Sequence, residues 1–178
     1  MLRLVPFLLA SLLALPLALP LAAAPNQLCL VVLKAERRLE LLQDGKVMKT
    51  YRIGLGTNPT GPKLHEGDGR TPEGTFYVCV KNPRSKFHLS LGLSYPTPAD
   101  AARGLAEQRI TRAQHDAILA AHQTRATPPW NTALGGEIFI HGNGSGSDWT
   151  LGCIALDDDA MTELYALVEK GTTVEIRP

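Results

Sequence analysis

Residues 138–154 read IFIHGNGSGSDWTLGCI, from Ile138 through His141 to Cys153 and Ile154. The opening residues are β-branched or aromatic, which predicts a short strand over 137–140 ending on His141. A polar, glycine-rich loop follows and delivers Cys153 twelve residues after the histidine. If that loop folds back, an imidazole and a thiol meet on rigid mounts. An imidazole can accept a thiol proton and stabilise the thiolate, a strong side-chain nucleophile. Gly152 beside the cysteine leaves backbone N–H groups unobstructed, which suits an oxyanion site. Taken alone, the same residues fit a packed cysteine and ordinary turn glycines equally well.

Downstream, Asp157, Asp158 and Asp159 can cap a helix and complement its dipole. Met161, Leu164, Tyr165 and Val168 fall at i, i+3, i+4 and i+7, an apolar core face, and Gly171 stops the helix. Residues 172–176 read as a closing strand. Upstream, residues 28–33, 39–42 and 46–53 are apolar runs separated by turn residues, with Asp44-Gly45 as the second turn, and predict a strand meander. Residues 54–74 form a long Gly- and Pro-rich loop. Strands are expected over 75–80 and around 88–93. Residues 98–103 and 111–122 carry helical signals, with Thr111 as a cap, before a second loop over 127–136. The chain is therefore mainly β with two or three helices, and a helical insert precedes the strand that carries His141.

The 44% hydrophobic content is unevenly spread. Residues 1–24 hold one charge, Arg3, an apolar run broken by Pro6, Pro16 and Pro20, and a small-residue end at Ala22-Ala23-Ala24. That pattern reads as a secretory signal, and three prolines argue against a membrane anchor. Residues 25–178 are expected to form one exported domain, in the periplasm or cell envelope, with no stable membrane span. Without Arg3 its basic and acidic residues balance, which argues against nucleic acid as a partner. From Lys34 to Arg125 basic residues outnumber acidic ones, and after Arg125 acidic residues outnumber basic ones, which fits two facing surfaces or a solvated acidic helix.

An exported chain with three cysteines leaves one unpaired if two join. Cys29 and Cys79 lie in strand-like runs and are the candidate disulfide, the alternative being two buried free thiols. Cys153 is the odd one, in a polar loop. His65, His88, His115, His122 and His141 make no metal-binding spacing, and no phosphate-binding glycine loop appears. Neither a metal nor another cofactor is called for, since thiolate, imidazole and backbone dipoles suffice for acyl transfer.

The signature IHG…TLGCIAL resembles the active-site motif of the YkuD-type L,D-transpeptidases. Asp44-Gly45, GDGRTPEG (67–74), SYPTPAD (94–100), PPW…LGGEIFIHG and GTTVEI follow that family's order over nearly all of residues 28–176. The resemblance implies an L,D-transpeptidase-like β-sandwich or barrel acting on peptidoglycan stem peptides in the envelope. Cys153 would attack the L-centre carbonyl of a tetrapeptide donor and pass the acyl group to an amine, from a D-amino acid or a wall-anchored protein. His141 would serve as base and later as proton donor. The Gly152 and Cys153 amides, with Leu151, would hold the oxyanion, and the Gly142 carbonyl or a nearby loop oxygen would orient the imidazole. Arg70, Ser85, His88 and Tyr95 lie in family-like segments and are candidate substrate contacts. Two departures stand out: Leu151 where many members have histidine, and Ala155 where many have arginine. The alternatives are an L,D-carboxypeptidase or hydrolase using the same acyl-enzyme, and a catalytically silent wall-binding module.

Overall fold

Asp44 and Gly45 both take positive φ, 51° and 77°. A two-residue turn of that kind matches the twist of a strand ribbon, and only residues such as Asp and Gly adopt it readily. It joins β2 (Arg38–Gln43) to β3 (Lys46–Arg52), and β2 pairs on its other side with β1 (Leu28–Leu33). The computed structural model describes residues 27–178, so the export signal expected over 1–24 lies outside it. The remaining elements are β4 (Gly74–Ser85), β5 (His88–Leu93), α1 (Pro98–Ala106), α2 (Arg112–Gln123), β6 (Phe139–His141), β7 (Ile154–Ala155), α3 (Asp158–Leu167) and β8 (Thr173–Arg177).

The strands form one mixed sheet in the order β3-β2-β1-β8-β4-β5-β6-β7. The chain is mainly β, as expected, and α1 and α2 are the insert before β6. β8 lies parallel to β1, β7 lies parallel to β6, and the other pairs are antiparallel. Bridges from Gly54 to Ala155 and from Gly56 to Thr150 bring the chain after β3 onto β7, so the sheet curls until its two edges touch. This closure puts residues 54–74 beside the loop that carries Cys153.

The core follows the two-residue period of strands. Leu30, Val32, Leu39, Leu41, Phe76, Val78, Leu91, Leu93, Ile140 and Ile154 pack together, covered by Met161, Leu164 and Val168 from the α3 region. Ala101, Ile110 and Ile118 make a smaller cluster with Leu134, which seats the insert. Thr111 caps α2 with a reciprocal bond to Gln114.

Several expectations are revised. β4 runs through Pro83, where its far half pairs only with β5 and the register is irregular, so a missing amide is tolerated. Asp157 sits at the N-cap of α3 without a side-chain cap bond, because Asp157 and Asp158 accept from loop amides instead. α3 ends at Leu167, before Gly171. The candidate Cys29–Cys79 disulfide is absent, and Cys29, Cys79 and Cys153 are free thiols. Cys29 stands opposite Thr173, and Thr173 opposite Tyr77, so β8 separates the two strands. Two strand spacings are about 10 Å, beyond the roughly 7 Å Cα separation a disulfide can bridge.

Candidate active site

Parallel pairing of β6 with β7 sets Ile140 beside Ile154 and His141 beside Ala155. Ile138 and Ile140 point into the core, so the pleat turns Phe139 and His141 to the opposite face. Cys153, just before β7, is held against the start of β6. Its Sγ accepts the Phe139 N–H at 3.4 Å and donates to the Glu137 carbonyl at 3.5 Å. His141 and Cys153 line one cavity of about 930 Å³ with Lys63, Phe87, Trp130, Glu137, Trp149 and Leu151.

The imidazole is 3% exposed and clamped by aromatics. Phe87 stacks on it with ring centroids 4.7 Å apart, and Trp149 meets it edge-on at 5.6 Å. The Trp149 indole donates to the Gly144 carbonyl, which fixes its plane. His141 Nδ1 lies 2.7 Å from the Gly142 carbonyl, the atom expected to orient it. A carbonyl only accepts, so Nδ1 carries the proton and Nε2 is left as the acceptor.

Burial lowers the His141 pKa below the ordinary histidine value, and the bond to Gly142 pulls part of that back. Burial also pushes the Cys153 thiol up, opposed by the Phe139 amide and by the charge of Lys63. Both shifts favour a neutral thiol and a neutral imidazole at rest.

Lys63 is the cation whose field reaches Cys153. It is almost fully buried and pairs with Asp68 at 2.8 Å. Burial alone would raise Asp68, but the Lys63 ammonium and the amides of Leu64, Arg70 and His65 hold its pKa down at about 2. The arginine that many family members carry after the cysteine has no room here, because Ala155 is fully buried against Gly54. Leu151 projects into solvent at the cavity rim, 80% exposed.

The glycine before the cysteine is required. Gly152 has φ 128°, and a Cβ there would lie 2.6 Å from the Arg70 carbonyl. Its N–H donates to Thr150 Oγ1 at 3.1 Å, while that hydroxyl donates to the Cys153 carbonyl at 2.8 Å. The Gly152 amide, one of the three expected oxyanion donors, is thus already engaged within its own loop.

None of the four candidate substrate contacts lines the cavity. Tyr95 is fully buried, with its hydroxyl donating to Leu134. Arg70 extends toward the Pro62 carbonyl, the Ser85 hydroxyl accepts from the Phe87 amide, and His88 pairs with Thr162. These residues shape the segments around the site. The aromatic walls were missed, although a tryptophan in a Gly/Ser loop and a phenylalanine at a hairpin tip have no core to fill locally.

Residues 27–176 match the family model for the YkuD L,D-transpeptidase catalytic domain, and the chain belongs to that family. YafK of Escherichia coli (strain K12) is 30% identical over 80 residues, 41% of this chain and 32% of YafK. The matched stretch therefore spans about a third of that relative. Pgp2, a helical cell shape determining protein of Campylobacter jejuni, superposes with a TM-score of 0.60 at 24% identity, over 86% of this chain and 48% of Pgp2. The L,D-transpeptidase of Xylanimonas cellulosilytica, residues 123–326, gives a TM-score of 0.51 at 16% identity, covering 86% and 62%. These structural likenesses carry the fold.

Proposed function

We propose that this chain is an exported, cysteine-dependent acyltransferase acting on peptidoglycan stem peptides. The observation that carries the reading is that Cys153 and a tautomer-fixed His141 line one aromatic-walled cavity. The Cys153 thiol gives its proton to His141 Nε2, and the sulfur attacks the carbonyl carbon at the L-centre of a tetrapeptide donor. The Cys153 amide, with that of Leu151, holds the oxyanion. As the tetrahedral adduct collapses, the C–N bond breaks and His141 returns the proton to the departing D-residue. An amine then enters, loses its proton to His141 and takes the acyl group from sulfur.

The test is incubation with tetrapeptide muropeptides, with and without a D-amino acid, followed by mass spectrometry beside Cys153→Ala. Exchange products or dimers support transfer, and tripeptide alone supports hydrolysis of the same thioester. Identical product profiles for wild type and Cys153→Ala overturn the assignment.

A further inference from the structure

The Gly142–Asn143 peptide group is engaged at both ends. Its carbonyl lies 2.7 Å from His141 Nδ1, and its N–H donates to Asp158 Oδ1, also at 2.7 Å. In a trans peptide these two groups point in opposite directions within one plane. A carboxylate on the N–H side polarises the amide, which makes the carbonyl a better acceptor on the other side. The contact is built into the backbone. Asn143 has φ 78°, and a side chain on Gly142 would collide with Asp158 Oδ1 and crowd His88 and the Phe87 carbonyl.

We infer that Asp158 is a positioning residue for His141, acting through the Gly142–Asn143 peptide. The inference rests on the role proposed above for His141. A carboxylate that touches the imidazole directly holds its tautomer and stabilises the imidazolium in Ser-His-Asp sites. Here one peptide unit stands between the two. Nδ1 keeps its hydrogen, and each transferred proton enters and leaves the imidazole at Nε2, coming from the Cys153 thiol or the acceptor amine and going to the departing D-residue.

The other charged and titratable groups around the imidazole are otherwise bound or further along the wall. Asp157 accepts from Ser145, His88 is bound to Thr162, and Lys63 is held by Asp68. Cys153, Glu66 and Glu137 share the cavity.

Asp158→Asn keeps an acceptor in place without the charge, and Asp158→Ala removes both. Asp157→Asn is the control, since Asp157 anchors the same loop through a different peptide. Two readouts apply: kcat and KM on tetrapeptide across pH, and the iodoacetamide labelling rate of Cys153, located by peptide mass. Asp158→Ala is expected to lose about tenfold in kcat with KM nearly unchanged, the equivalent of about one pKa unit of imidazolium support. Its acid limb should move to lower pH, because the imidazolium loses support, and Cys153 labelling should slow. Asp158→Asn should show a smaller loss of the same kind, and Asp157→Asn close to wild-type behaviour. Wild-type kcat, acid limb and labelling in both Asp158 variants overturn the inference. Equal losses in Asp157→Asn and Asp158→Asn with an unmoved limb also overturn it, leaving a loop anchor. If His141→Ala changes neither turnover nor labelling, the reading of the site itself falls, and this inference with it.

Discussion

His141 is buried under Phe87 and Trp149, and its protonated form is the one burial penalises. The acid limb of activity should therefore lie below the ordinary histidine value of about 6.5, as a pH–rate profile on tetrapeptide would show. The same shift bears on stability. The folded pKa is below the unfolded one, so the contribution is present above the unfolded value and is lost as pH falls through the folded value. Phe87→Ala exposes one face of the ring and should move the acid limb back up toward the ordinary value. An unmoved limb in that variant would mean that Phe87 does not set the histidine's environment. At this scale the quoted stretch revealed the thiol and the imidazole but not their surroundings. Tyr95 and Arg70 sit in recognisable motifs, yet a motif does not say which way a side chain faces. Tyr95 turned into the core because its hydroxyl had a carbonyl to satisfy there.

Among the elements, the loop over residues 54–74 depends on Lys34. Its ammonium donates to the Gly61 and Thr71 carbonyls and to Glu73, with the side chain 3% exposed. Lys34→Ala should cost about 3 kcal/mol in urea unfolding, because it strands a carboxylate and two carbonyls in a buried setting. It should also reduce activity, since this loop carries Lys63 and backs Gly152 through the Arg70 carbonyl. Gly152→Ala should be worse for activity than for stability, because it strains the turn that aims Cys153, and circular dichroism beside turnover separates the two. Hairpins and helices were legible here from turn residues, caps and apolar period. β7, two residues long, was not, because its pairing comes from β6 and Gly54 rather than from its own sequence.

For the molecule as a whole, sheet order is the information the linear sequence withholds. β8 closes the chain yet inserts between β1 and β4, and that insertion keeps Cys29 and Cys79 apart. Thiol titration of the unfolded, unreduced protein should accordingly count three free thiols, whereas one would restore the disulfide. The closure of β3 against β7 brings the 54–74 loop to the Cys153 turn, across nearly a hundred residues of chain. Among the described residues no helix is long and apolar enough to cross a membrane. The claim on which the rest depends is that Cys153 forms a thioester with a stem peptide. Intact-mass spectrometry after brief mixing with tetrapeptide muropeptide measures it directly. The expected result is an adduct lacking the terminal D-residue, present in wild type and absent in Cys153→Ala. Substrate turnover that proceeds equally in Cys153→Ala would contradict it.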